Sequence, residues 1–165
     1  THKTIIDGYL HTGDIGEIDE DGFLSITDRK KEIFKTSGGK YIAPTSIESE
    51  LKQSRFIEQI MVIGEGEKMP AALIQPNFHF IEEWAKLKNY PIDDIATDKR
   101  VIDRIQKEVD FYNEKFGKWE RIKKFELTPD EWSIEAGHLT PTMKIKRKVI
   151  KEKYKILYEK IYNSQ

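Results

Sequence analysis

Three observations on these 165 residues predict an α+β fold, a small and mostly antiparallel sheet flanked by helices and preceded by a β-hairpin. Short apolar runs closed by Gly-containing turns fill the first half. Apolar residues recur at steps of three and four in the second half. The order of elements is hairpin, strand pair, helix, two strands, helices, strand, helix, which suits a sheet covered by helices.

The hairpin comes first. Ile15 to Asp19 and Phe23 to Thr27 flank Glu20-Asp21-Gly22, an acid-acid-Gly turn whose glycine tolerates positive φ. Asp28 to Lys31 is a charged break and the best candidate boundary. Glu32 to Thr36 reads as a strand centred on Ile33 and Phe34, followed by the turn Ser37-Gly38-Gly39-Lys40 and then Tyr41-Ile42-Ala43. A helix is predicted from Thr45, because Thr45 and Glu48 have capping-box spacing, with Ile47 and Leu51 facing inward. Two core strands follow, Gln59–Gly64 and Pro70–Gln75, joined by a Gly/Glu loop. Phe78–Leu87 is helical, 89–97 a loop, and Asp98–Phe116 the clearest helix, with Ile102, Ile105, Val109, Tyr112 and Phe116 on one face. A strand Ile122–Leu127 ends before Pro129, residues 128–144 are irregular, and a last helix from Ile145 carries Ile150, Tyr154, Leu157 and Ile161 on one side.

Composition narrows the function classes. Hydrophobic residues make up 38% and charged residues 35%, yet 11% aromatics still supply a core, which argues against wholesale disorder. No apolar run approaches the roughly 20 residues of a membrane-spanning helix. There is no secretory signal at the start, and Thr1 in place of Met suggests a piece of something longer. Absence of cysteine excludes disulfides and thiolate metal sites and fits a reducing, cytoplasmic compartment. His2, His11, His79 and His138 show no metal spacing, so no metal site is expected in this chain.

The net charge of −1 hides an asymmetry. Residues 1–28 carry seven acids against Lys3, and residues 140–165 carry eight bases against Glu152 and Glu159. A basic tail is commonly a solvated helix face; the sharper readings are a phosphate-bearing ligand, an anionic membrane or nucleic acid. The tail's tyrosines read as core positions, which disfavours nucleic acid as a partner.

Taken singly, the candidate chemical residues are weak. Asp14 could accept hydrogen bonds from a sugar diol, or simply close a turn with Gly13. Ser37-Gly38-Gly39-Lys40 could admit a ligand close to the backbone, or be only a hairpin turn, and it lacks the phosphate-loop spacing. Asp28-Arg29 could be a surface ion pair. Lys144 stands at a loop–helix junction, where a lysine is usually exposed and idle, but a mobile loop could carry it into an active site.

Together they are more telling. Tyr9-Leu10-His11-Thr12-Gly13-Asp14, then Asp28-Arg29-Lys30-Lys31-Glu32-Ile33-Phe34-Lys35, then Ser37 to Pro44 with Ile47-Glu48, then Thr140-Pro141-Thr142-Met143-Lys144-Ile145-Lys146-Arg147 occur in that order. The series resembles the C-terminal part of an AMP-forming acyl-CoA synthetase of the adenylate-forming superfamily, in its long-chain fatty acid–CoA ligase branch. The resemblance covers nearly the whole chain and is specific only in combination.

The resemblance implies that residues 1–30 are the terminal hairpin of a large domain whose remainder is absent, and that residues 31–165 are the small mobile lid. It implies an enzyme, a ligase forming an acid–thiol bond: fatty acid, ATP and CoA give acyl-CoA, AMP and pyrophosphate through an acyl-adenylate. The isolated chain is then expected to be inactive, with Mg accompanying ATP at a site outside it. By the same resemblance Asp14 and Arg29 bind the nucleotide ribose, Lys31 is the hinge, Lys35, Gly38 and Gly39 serve the CoA half-reaction, and Lys144 is the catalytic lysine of adenylation. Many relatives have Ser-Gly-Lys where Thr142-Met143-Lys144 stands, and losing that glycine removes backbone freedom beside the lysine. The expected partners are the chain's own N-terminal domain and small-molecule substrates, with peripheral membrane contact left open. The alternative is a non-catalytic CoA-, membrane- or partner-binding module of the same fold.

Overall fold

The computed structural model describes residues 5–163, the side chains of Thr27 and Asp28 aside, so expectations on Thr1, His2, Lys3 and the Asp28 carboxylate lie outside the described residues. Two antiparallel ribbons open the chain: β1 (Ile5–Ile6) with β2 (Tyr9–Leu10), and β3 (Asp14–Ile18) with β4 (Leu24–Arg29). The acidic turn forms as predicted. Asp19 Oδ1 accepts from the amides of Asp21 and Phe23, and Gly22 sits at φ 86°.

The predicted break comes late. Asp28 and Arg29 complete β4, and the chain turns over Lys30 to Glu32, where the amides of Glu32 and Ile33 both donate to the Arg29 carbonyl at 2.9 and 3.3 Å. That turn consumes the start of the strand expected over Glu32–Thr36. What remains is β5 (Phe34–Lys35), antiparallel to β6 (Tyr41–Ile42).

The next helix, α1 (Pro44–Leu51), starts on a proline, whose fixed φ suits the first turn. The expected Thr45–Glu48 capping box does not form. Its N-cap is Ala43, with no side-chain cap. Thr45 Oγ1 donates instead to Glu32 at 3.3 Å, and Glu48 accepts the Val62 amide at 2.7 Å, so tertiary partners outcompete the local ones. Ile47 and Leu51 are buried, as expected.

The main sheet has three strands. β7 (Ile57–Ile63) and β8 (Ala71–Pro76) are antiparallel, and β9 (Phe125–Leu127) runs parallel to β8. All of β8 is buried, because helices cover both faces. Side chains alternate with period two. Ile60, Val62, Ala72 and Ile74 join α1 and α3 (Lys99–Asn113) in one core. Met61, Ile63, Ala71 and Leu73 join Trp132, Leu139, Ile150 and Ile161 in the other. Asn77 and Asp98 cap α2 (Phe78–Leu87) and α3 through their side-chain oxygens.

The single terminal helix expected from Ile145 is divided into α4 (Arg147–Lys153) and α5 (Lys155–Asn163). Tyr154, at φ −103° and ψ 33°, is the kink. Its hydroxyl donates to Asp130 at 3.0 Å and its ring stacks on Trp132 at 6.2 Å, which fixes the side chain at the expense of regular backbone. Ile150, Tyr154 and Ile161 are buried, as the periodicity requires.

Candidate functional site

A cleft of about 250 Å³ opens where the end of β4, helix α1 and the loop before α4 meet, and Arg29, Glu32, Glu48, Lys52, Lys144 and Arg147 line it. Two of the sequence-predicted residues therefore come together here. Arg29 ends β4 and lies opposite Asp14 in the strand register, so the Asp14 carboxylate meets the Arg29 Nε at 2.8 Å. Asp14 is itself steadied by its amide, which donates to Thr12 Oγ1 at 3.1 Å. The carboxylate thus orients the guanidinium at the mouth of the cleft.

Lys144 arrives on a tight hairpin. Leu139 and Ile145 form an antiparallel bridge, and the Lys146 amide donates to the His138 carbonyl at 2.9 Å. Inside that frame Thr140 N donates to the Lys144 carbonyl at 2.8 Å, and Thr140 Oγ1 accepts the Lys144 amide at 3.0 Å. Closing so short a loop needs a left-handed residue, and Met143 supplies it at φ 61°. The conformation suited to glycine is retained by a methionine, at about 1 kcal/mol or more of local strain.

The floor of the cleft is a half-buried ionic network that sequence reasoning missed. The Arg147 guanidinium donates to Glu48 Oε1 at 2.5 Å and to the Val62 carbonyl at 3.1 Å, and lies 3.6 Å from Glu32. Glu48 also takes the Val62 amide. Burial pushes the Glu48 carboxyl up to about 7, with Arg147 and the Val62 amide pulling the other way. The three side chains tie the turn after Lys31, helix α1, strand β7 and helix α4 into one piece. The only signal in the sequence was that Glu48 and Arg147 both fall within the quoted motifs; their pairing spans 99 positions and no local rule reaches that far.

The other predicted residues lie elsewhere. Lys31, exposed in the turn, borders a neighbouring cavity of about 320 Å³ shared with Phe34, Arg147, Lys151 and Tyr158. Lys35, Gly38 and Gly39 gather at the β5–β6 turn and line neither space. Gly39 adopts φ 80°, and the Lys35 ammonium lies 5.5 Å from the centre of the Tyr41 ring. His138, for which the sequence offered no partner, is buried and has several. Its Nδ1 accepts the Ser133 amide at 3.3 Å, and its Nε2 meets Lys153, which also pairs with Asp130. Burial and the Lys153 charge hold this imidazole below the ordinary histidine range, against the pull of Asp130.

No group of three or more metal-ligating side chains is found among the described residues. Glu32 and Glu48, the two carboxylates of the cleft, are both engaged by Arg147, so this donor set does not fit a Mg ion. No helix among the described residues is long and apolar enough to cross a membrane.

Comparison with known proteins finds relatives along the whole length of the chain. The profile of the AMP-binding enzyme C-terminal domain matches residues 31–165. The chain is 40% identical over its full length to 28% of a long-chain-fatty-acid–CoA ligase from Mycobacterium tuberculosis. It is 35% identical over 99% of its length to 25% of long chain acyl-CoA synthetase 2 from Arabidopsis thaliana. It thus spans roughly a quarter of the length of these relatives. Among solved structures, the adenylation domain of a carboxylate reductase from Mycobacterium chelonae superposes with a TM-score of 0.80 over 99% of this chain and 25% of that one. At 22% identity that likeness speaks for the fold alone.

Proposed function

The chain belongs to the AMP-binding enzyme C-terminal domain family, and on that premise we propose that it is the lid of a long-chain fatty acid–CoA ligase, with residues 1–30 contributed by the end of the large domain and residues 31–165 forming the mobile part. The observation that carries the reading is the shared cleft: Arg29, oriented by Asp14, and Lys144 converge on it from segments more than a hundred residues apart.

In the first half-reaction a fatty acid carboxylate attacks the α-phosphorus of ATP, and pyrophosphate leaves. Asp14 and Arg29 hold the ribose, a carboxylate offering acceptor sites to two hydroxyl donors. Lys144 lies across the cleft as a fixed positive charge, where it stabilises the negative charge developing at phosphorus. Mg accompanies ATP through groups outside this chain. The lid then turns about Lys31. In the second half-reaction the CoA sulfur attacks the acyl carbonyl carbon and AMP leaves, while Lys35, Gly38 and Gly39 face the pantetheine arm.

A large partner domain is supported by the apolar surface of the first two ribbons. Ile18, Phe23, Leu24 and Ile26 are between 61% and 71% exposed, more than a free-standing hairpin would leave to water. The competing reading, a binding module without catalysis, explains none of the convergence of Asp14, Arg29 and Lys144.

The test is Lys144→Ala in the full-length protein, assayed in separate half-reactions. Acyl-adenylate formation should lose about 2–4 kcal/mol of transition-state stabilisation, while thioester formation from supplied acyl-adenylate should change little. Equal losses in both steps would overturn the role given to Lys144.

A further inference from the structure

The β5–β6 turn is held in place from a distance. Within itself it is closed by Thr36 N to the Lys40 carbonyl and Gly39 N to the Thr36 carbonyl, each 2.9 Å. Ser37 to Tyr41 are all exposed, so packing does little to place it. Two bonds tie it to the loop between β7 and β8: Ser37 N donates to the Glu67 carbonyl and Gly66 N to the Lys35 carbonyl, both at 2.9 Å.

That loop is anchored in turn to α5. The Tyr158 hydroxyl donates to Glu67 Oε1 at 2.9 Å, and one helical turn later the Tyr162 hydroxyl donates to the Met69 carbonyl at 3.2 Å. The two rings contact each other at 5.0 Å, and the Lys151 ammonium lies 4.5 Å from the centre of the Tyr158 ring. At the root of the loop, Gly64 at φ 138° sits against Met69 and Tyr162, where an added Cβ would come within 2.8 Å of the Met69 carbonyl. Glu67 is therefore the joint of the assembly. Its main chain holds the turn and its side chain holds the helix.

We propose that Glu67 and Tyr158 are positioning residues for the CoA half-reaction, acting through the Ser37–Gly39 turn on the pantetheine arm of the thiol substrate. This rests on the functional reading above, in which that turn faces CoA. Neither residue lines the cleft that holds Lys144, so the CoA step should depend on them more than adenylation does.

The experiment uses the full-length protein as Glu67→Ala, Glu67→Gln and Tyr158→Phe, with two readouts. Half-reaction kinetics should show the thioester step slowed, or the KM for CoA raised, about fivefold or more in Glu67→Ala and Tyr158→Phe, as loss of one hydrogen bond to a charged acceptor predicts. Adenylation should stay within about twofold, and Glu67→Gln, which keeps an acceptor oxygen, should recover most of the thioester rate. Hydrogen exchange should show the Ser37 and Gly39 amides exchanging faster in Glu67→Ala than in the parent. Equal slowing of both half-reactions, an unchanged thioester step, or Glu67→Gln as impaired as Glu67→Ala would overturn the proposal. Unchanged exchange at Ser37 and Gly39 would overturn it independently of any activity. A parent protein that forms no acyl-CoA, yet shows faster exchange in Glu67→Ala, would instead overturn the functional reading and the CoA role with it, leaving only the mechanical link.

Discussion

Met143 and Glu48 show how a single side chain can be set against its surroundings. Met143 holds a left-handed backbone at φ 61° so that Lys144 can be presented on a five-residue tip. The residue is 54% exposed, so little packing is lost on truncation. Met143→Gly should therefore stabilise the fold by about 0.5–1.5 kcal/mol, the relief of strain exceeding the added freedom of the unfolded chain. The check is the denaturant midpoint, and a lower midpoint for the glycine variant would contradict the strain. Glu48 is the reverse case, a carboxylate whose acidity burial has weakened. Raised to about 7 from 4.5, it binds its proton more tightly when folded than when unfolded. The stability it contributes is full below pH 4.5 and is lost as pH rises through about 7. Glu48→Gln should abolish that loss. The stability difference, parent minus variant, should fall by about 1–3 kcal/mol between pH 4.5 and 7.5, as read by denaturation at each pH. A flat difference would show that Arg147 keeps the carboxylate fully ionised. Asp130 and His138 are both shifted downward, so their acid-side losses occur in parent and variant alike and cancel in the difference.

Among the elements, the short turn after β4 is the one that the proposed function makes a hinge. Lys30 N donates to the Gly13 carbonyl and Glu32 N to the Arg29 carbonyl, each at 2.9 Å, so Lys31 sits between two anchored neighbours. A hinge needs this arrangement, one residue changing φ/ψ while its flanks stay rigid. Lys31→Pro fixes φ near −65° and restricts Lys30 as well. In the full-length protein it should leave one half-reaction working and slow the other by at least about tenfold, as expected for a lid trapped in one orientation. Lys31→Ala should be far milder in single-turnover assays of each step. Should the two variants behave alike, Lys31 is not the hinge. The longer elements were readable without the structure. The spacing of Ile105, Val109 and Tyr112 announced α3, and the helix expected over Phe78–Leu87 coincides with α2. Where the reading failed, a distant partner had taken over a local signal. Glu48 left its capping box for Val62 and Arg147, and Tyr154 gave up regular helix for Asp130 and Trp132.

In the whole molecule, the charge asymmetry of the sequence resolves into distinct parts. Several bases of the tail are paired across the fold, Arg147 to Glu48, Lys153 to Asp130 and Lys160 to Glu126, so the basic run is in large measure structural. The acidic ribbons at the other end keep an exposed apolar face, which the proposed large domain would cover. What the sequence by itself determined was the α+β class, the two core strands, helices α2 and α3, the hairpin turn at Gly22, and, through four short motifs in order, a family. Each of these rests on periodicity, turn chemistry or residue identity over a few neighbouring positions. Only the tertiary structure decided that β9 runs parallel to β8, that Arg29 and Lys144 share a cleft, that Arg147 and Glu48 form its floor, and that Glu67 joins α5 to the turn at Gly39. The reason is one of range: such contacts join residues tens of positions apart, and buried polar groups accept whichever partner the packed chain brings within hydrogen-bonding distance.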